Sequence, residues 1–139
     1  MVADVIYNKA QIIERCLRRV DEEYAGDPDN LRNYTKQDSI ILNIQRACEA
    51  AIDLAMHLVG EQGWGLPQNS RDAFVLLRKN GVLDEHLAAR MQAMVGFRNI
   101  AVHEYESIDL TIVQSIIEHN LDDLRVFAQT VLTAGWARG

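Results

Sequence analysis

An apolar stripe with a spacing of three or four residues is the feature that most restricts what this chain can fold into. Its members are Ile41, Ile44, Ala47, Cys48, Ala51, Ile52, Ala55 and Leu58. Residues at this spacing share one face of an α-helix, and a face this broad is typical of a helix at the centre of a bundle. We expect this helix to begin at a capping-box-like pair, Thr35 and Asp38, and to end near Val59.

Similar periodicity predicts further helices on both sides of this one. Residues 4–24 give the first helix, Ser70 caps a short one, another begins near Leu83 and Asp84, and the last follows Ser107 or Asp109. The apolar face of the last helix comprises Leu110, Ile112, Val113, Ile116, Ile117, Leu121, Leu124, Phe127, Ala128, Val131 and Leu132. The chain is therefore predicted to be all-α, an up-and-down helical bundle of four to five helices in a single domain, residues 1–139.

Cysteine usage and hydropathy indicate the compartment. Cys16 and Cys48 fall inside helical patterns, and we interpret them as buried thiols rather than as a disulfide, which fits a reducing cytoplasm. The chain has no apolar run of 18 residues and no charged segment followed by an apolar one at its start. We expect a cytoplasmic protein with no membrane partner.

The histidines and glycines do not have the spacing of a cofactor site. There is no His-Glu-x-x-His, no pair of histidines four residues apart and no Cys-x-x-Cys, so neither a metal nor another cofactor is expected. The glycines between positions 60 and 65 are not followed by the Lys-Ser/Thr of a phosphate-binding loop, so this stretch is interpreted as a connector.

Four residues whose side chains can take part in binding or catalysis lie together where the predicted fourth helix ends: Arg98, Asn99, His103 and Tyr105. Arginine binds phosphate oxygens, and histidine exchanges a proton near neutral pH, so the pair is suited to cleaving a phosphodiester. On an unbroken helix His103 would lie about 140° round from Arg98 and about 7.5 Å along the axis. Either the helix frays before His103, or a second chain completes the site. From spacing alone, such a pair more often stabilises a helix C-terminus than catalyses a reaction.

This stretch resembles the R-X4-H-X-Y signature of the HepT-like toxins in the HEPN superfamily, with Arg98, Asn99, His103 and Tyr105 at matching positions. The resemblance extends over nearly the whole chain. It includes a long helix with polar Asp38, Asn43, Gln45 and Glu49, and the run 94–97 before the motif. It implies a HEPN-like homodimer in which two protomers meet at the motif to form one composite cleft.

The resemblance also implies an activity. The chain would be the toxin of a type II HEPN/MNT toxin–antitoxin system, a metal-independent endoribonuclease. His103 would transfer a proton to or from the RNA 2′-hydroxyl or the leaving group, and Arg98 would stabilise charge on the phosphate. Asn99 would support RNA binding. A minimal nucleotidyltransferase (MntA-like) antitoxin would transfer AMP to Tyr105 and switch the toxin off.

The net charge of −6 keeps two alternatives open, because RNA affinity normally comes from a basic surface. The acidic charge is not evenly distributed, however. Residues 71–103 contain five Lys and Arg and three Asp and Glu, so the segment with the motif has a net charge of +2. One alternative is a noncatalytic HEPN-type module that binds a nucleotidyltransferase or nucleotides. The other is a dimeric helical adaptor without nucleotide chemistry. Asp38, Asn43 and Arg46 are weak candidates to support the motif, and solvation or partner contact explains them better.

Overall fold

The computed structural model describes residues 2–134, and it contains six α-helices and two short 3-10 turns in that range. The α-helices are α1 (Val2–Tyr24), α2 (Tyr34–Gln62), α3 (Ser70–Lys79), α4 (Glu85–His103), α5 (Leu110–His119) and α6 (Leu121–Leu132). The 3-10 turns are Pro28–Arg32, between α1 and α2, and Tyr105–Ser107, between α4 and α5. No strand occurs within residues 2–134, which confirms the all-α prediction.

The central helix is α2, which packs against α1, α3, α4 and α6. Every member of the apolar stripe predicted between positions 41 and 58 is buried, as that prediction required. The ammonium of Lys9, near the start of α1, lies 3.3 Å from a carboxylate oxygen of Asp53, in the second half of α2. The two helices are therefore antiparallel, as expected for neighbours joined by a short connection.

The motif-bearing helix α4 also runs antiparallel to α2. Arg98 lies opposite Glu49, whereas Tyr105, just beyond α4, reaches Asp38 near the start of α2. As the chain advances along α4 it therefore moves back along α2. This arrangement places the end of α4 and the following turn beside the N-terminal part of α2.

The ends of the helices differ in part from the predicted positions. Asn33, not Thr35, is the N-cap of α2, and Asn69, not Ser70, is the N-cap of α3. Both asparagine side chains accept a hydrogen bond from a backbone N–H three residues on, which satisfies a donor that the helix leaves unpaired. Asp84 is the N-cap of α4, at the predicted start of that helix, and Asp109, one of the two predicted candidates, is the N-cap of α5. α2 continues past the expected end to Gln62.

The last predicted helix is divided at Asn120 into α5 and α6. Asn120 has φ −121° and ψ −11°, which is not helical, and asparagine tolerates such backbone angles well. Asp123 in the first turn of α6 is bound by Arg90 of α4, whose Nη1 lies 3.3 Å from Oδ1. This contact fixes where α6 starts against the bundle. Ile112 and Leu132 are exposed, so the prediction that they face the core was wrong.

Cys16 and Cys48 are buried free thiols, as predicted. Within residues 2–134, no helix is both long enough and apolar enough to cross a membrane.

Candidate functional site

Arg98 projects from α4 into the groove between α2 and α3, where neighbouring polar groups hold it. Its Nη2 donates a hydrogen bond to Ser70 Oγ over 3.3 Å, and its Nη1 lies 3.9 Å from Glu49 Oε2. The Arg98 side chain is 22% exposed. Its Nε is buried and has no hydrogen-bond partner among the described residues, although a buried N–H normally has one. The guanidinium is thus positioned while part of its donor capacity remains unused.

A surface depression of about 330 Å³ opens beside Arg98. Six residues line it: Asn69, Ser70, Arg71, Val95, Arg98 and Asn99. Two of the six are arginines and three more carry an amide or a hydroxyl, so the lining consists mainly of hydrogen-bond donors. A guanidinium pair with amides is suited to an anion with several oxygens, such as a phosphate.

Arg71 reaches this depression by crossing α4 at Gly96. Its Nε donates a hydrogen bond to the backbone carbonyl of Gln92 over 3.4 Å. A Cβ added to Gly96 would lie only 2.9 Å from Arg71 Nη2, so the glycine makes room for the guanidinium. A glycine inside a helix commonly admits a neighbouring backbone or loosens the helix. The structure instead places a side chain there, and α4 continues without a break.

His103 is the last residue of α4, and its side chain is exposed. Within residues 2–134 its imidazole forms no hydrogen bond or ion pair. Because α4 remains helical through His103, the first of the two expected arrangements, fraying before this residue, was wrong. Helical geometry keeps His103 about 140° round from Arg98, and the two side chains do not meet within one chain.

Tyr105 lies in the 3-10 turn after α4, and its hydroxyl donates a hydrogen bond to Asp38 Oδ1 of α2. The Tyr105 side chain is 41% exposed, and Asp38 is also exposed. Partial burial raises the pKa of the Tyr105 hydroxyl to about 12, with further contributions from the hydrogen bond and from the negative charge of Asp38. The phenol is therefore protonated at neutral pH, and it is accessible from solvent.

Two of the motif residues, Arg98 and Tyr105, contact α2, and they do so at different places. Arg98 lies beside Glu49, and Tyr105 beside Asp38, which is eleven residues and about 16 Å away along the helix axis. His103 lies between them in sequence, and Asn99 lines the depression next to Arg98. One chain does not bring all four residues to a single point.

The other polar residues proposed on α2 have different surroundings. Asn43 donates a hydrogen bond to the Ser39 carbonyl of its own helix over 2.8 Å. Arg46 lies close enough to Cys16 of α1 to lower the pKa of that thiol, although burial of the thiol raises it more strongly. Neither residue therefore supports the motif, whereas Asp38 does so through Tyr105.

Ser70 and Arg71 were not predicted to be neighbours of Arg98. Ser70 was interpreted as a helix cap, but its hydroxyl accepts from Arg98 while Asn69 serves as the cap. The excess of basic residues between positions 71 and 103 was the available signal, and it did not show which of them approach the motif. Only the packing of α3 on α4 does so.

The chain has close relatives among known proteins. The family model described as ribonuclease HepT-like matches residues 11–131. The mRNA nuclease HepT of Shewanella oneidensis is 42% identical over 128 residues, which cover 92% of this chain and 96% of that protein. The tRNA nuclease HepT of Aphanizomenon flos-aquae is 27% identical over 128 residues, which cover 91% of this chain and 87% of that protein.

A solved structure is similar as well. It contains the tri-AMPylated Shewanella oneidensis HEPN toxin in complex with MNT antitoxin. Its toxin chain is 43% identical and superposes with a TM-score of 0.87, over 92% of this chain and 96% of that one.

Proposed function

Because the chain belongs to the family of HepT-like ribonucleases, we propose that it is the toxin of a HEPN/MNT toxin–antitoxin pair and cleaves RNA with Arg98 and His103. The observation that carries this proposal is the placement of Arg98. Ser70 and Glu49 hold its guanidinium beside a depression that Arg71 and Asn99 also line. Two guanidiniums at one depression supply locally the positive charge that a chain of net charge −6 lacks overall.

The proposed reaction divides the work between the two motif residues. His103 takes the proton of the RNA 2′-hydroxyl, whose oxygen attacks the adjacent phosphorus, or protonates the leaving 5′-oxygen. Arg98 stabilises the charge that gathers on the phosphate oxygens. Asn99 orients the phosphate by hydrogen bonds. The products are a 2′,3′-cyclic phosphate and a 5′-hydroxyl. These groups perform the reaction without a metal ion, because they supply both the proton transfer and the charge stabilisation.

The proposed enzyme is a homodimer whose two motifs form one composite cleft. The separation of Arg98 and His103 on a continuous α4 supports this arrangement, since an arginine from one chain then faces a histidine from the other. Exposed apolar side chains next to the motif also support it. Ile100, Val102 and Ile112 are 40%, 44% and 54% exposed, and Ile100 and Ile112 border a depression of about 380 Å³. Apolar surface of this kind is typical of an interface.

The proposed partner is a cognate nucleotidyltransferase antitoxin that transfers AMP to Tyr105. The similar toxin described as tri-AMPylated, in complex with an MNT antitoxin, supports this partner. The exposed phenol in the turn after α4 is accessible to such an enzyme. The attached phosphates add bulk and negative charge next to His103, where they keep RNA away from the imidazole and stop cleavage. The whole chain, residues 1–139, acts as one domain in the cytoplasm, where its two free thiols remain reduced.

Induced expression of single variants tests the proposed activity. Arg98→Ala and His103→Ala should each relieve growth arrest, and each should slow cleavage of RNA by the purified protein about 10²- to 10³-fold. His119→Ala is the matched control for His103, because both histidines are exposed last residues of a helix. A His103→Ala protein that cleaves RNA at the parent rate would refute the proposal.

The acidic net charge favours a second candidate, a noncatalytic HEPN-type module that binds a nucleotidyltransferase or nucleotides. This candidate predicts that wild type, Arg98→Ala and His103→Ala leave cellular RNA equally intact. Antitoxin binding by all three would then be unchanged. This second candidate is excluded if cellular RNA is fragmented with the wild type but not with either variant.

A further inference from the structure

The contact between Tyr105 and Asp38 lies outside the groups that the proposed RNA cleavage uses. It joins two residues 67 positions apart, one at the start of α2 and one in the turn beyond α4. Asp38 has no other hydrogen bond or ion pair within residues 2–134. Among the described residues no cationic side chain pairs with its carboxylate, whose contact with the Tyr105 hydroxyl is therefore not shared with an ion pair.

A nucleotidyl transfer to Tyr105 must remove the phenolic proton. The phenol is a weak nucleophile while it keeps that proton, and its raised pKa keeps it protonated at neutral pH. A general base must lie within hydrogen-bond distance of the proton that it takes. Asp38 is the group that receives the hydrogen bond of the Tyr105 hydroxyl.

We propose that Asp38 is the general base of AMP transfer, so that the modified chain itself supplies a catalytic residue. This inference rests on the proposed transfer of AMP to Tyr105. The Tyr105 oxygen attacks the α-phosphorus of ATP, and the phenolic proton passes to Asp38. The bond between the α-phosphorus and the bridging oxygen breaks, and pyrophosphate leaves with that electron pair. Because Asp38 and Tyr105 are both exposed, the antitoxin can present ATP to them from the solvent side.

Asp38→Asn separates this role from simple positioning of the turn. The asparagine amide oxygen still accepts the hydrogen bond from Tyr105, so the turn stays attached to α2, but the amide does not take the proton. If Asp38 is the base, initial rates of label transfer from α-labelled ATP, catalysed by the cognate antitoxin, fall about 10²- to 10⁴-fold. The residual rate rises with pH as the phenol ionises, whereas the wild-type rate is nearly constant over the same range. Asp38→Glu recovers part of the rate.

Two control variants complete the experiment. Asp53→Asn is the matched control, because Asp53 is an exposed aspartate elsewhere on α2 that pairs with Lys9, and it should be modified at the wild-type rate. Tyr105→Phe should take up no label. Asp38→Asn modified at the wild-type rate, with the same pH profile, would overturn the inference while leaving AMP transfer intact. A wild-type chain that takes up no label contradicts the proposed AMP transfer itself and removes the step that Asp38 would serve.

Discussion

Mixing two inactive variants should restore RNA cleavage if each active unit takes its arginine from one chain and its histidine from the other. The variants are Arg98→Ala and His103→Ala. A mixed dimer keeps Arg98 on one chain and His103 on the other. On α4 these residues lie about 140° and 7.5 Å apart, and Ser70 and Glu49 draw the guanidinium toward α2 and α3. One chain alone therefore does not form the pair.

The expected recovery follows from counting. Random pairing of two chains makes half of the dimers mixed, and each mixed dimer retains one of the two equivalent Arg/His pairs, so the mixture should reach about a quarter of the wild-type rate. Loss of folding does not confuse this result. Arg98→Ala removes one hydrogen bond from a charged group, worth about 1.5–3 kcal/mol, and one partly exposed ion pair at 3.9 Å, worth about 0–1 kcal/mol. A domain of this kind is stable by about 5–15 kcal/mol, so the variant remains folded.

The assay measures cleavage of a fluorogenic RNA by each variant alone and by the mixture after subunit exchange, at equal total protein. The control mixes Arg98→Ala with the double variant Arg98→Ala/His103→Ala, in which no dimer contains an arginine at position 98. A mixture no more active than its separate components, with exchange verified by two affinity tags, would refute the composite arrangement.

Packing and titration give three further tests. Phe74 is fully buried and packs edge-on against Phe127 at a ring distance of 5.4 Å, so Phe74→Ala should lower the free energy of unfolding in urea by about 3–5 kcal/mol. Burial raises the pKa of the Cys48 thiol to about 12, so iodoacetamide at about pH 8 should label Cys48 only after unfolding. Burial and a hydrogen bond to Glu118 raise the pKa of Tyr24 to about 12. Because this pKa is higher in the folded state, the contribution of Tyr24 to stability is complete below the usual tyrosine pKa of 10.0 and is lost as pH rises through about 12. Tyr24→Phe should reduce this loss when unfolding is measured as a function of pH.

The helices were predictable because burial imposes a regular spacing on apolar residues. The stripe on α2 was predicted residue by residue, since a central helix presents a broad apolar face to several neighbours. The break at Asn120 was not predictable, because the apolar pattern continues through it. The contact between Arg90 and Asp123 that fixes the start of α6 joins residues 33 positions apart, which local spacing does not reveal.

The candidate site was predictable in its residue types and only partly in its geometry. The family was identified from Arg98, Asn99, His103 and Tyr105, and the comparisons confirm it. The surroundings of Arg98 depend on how α3 packs against α4. This packing brings Ser70 into contact with Arg98, which lies 28 residues further along the chain. Such contacts follow from tertiary packing, so the sequence did not distinguish Arg71 from the other basic residues near it. The roles of the four motif residues remain predictions.

The geometry of α2 also indicates how a modification at Tyr105 would act. The Tyr105 hydroxyl meets α2 at Asp38, about 16 Å along the helix from Glu49 and Arg98, so a nucleotide attached there does not begin at the Arg98 guanidinium of its own chain. The modification replaces the hydrogen bond between the Tyr105 hydroxyl and Asp38 by a phosphate that lies beside the Asp38 carboxylate. Like charges at this distance repel, so we expect the modified ring to leave Asp38 and turn away from α2. His103 lies two residues before Tyr105, at the exposed end of α4, and a displaced nucleotide would therefore cover the imidazole that the proposed reaction needs.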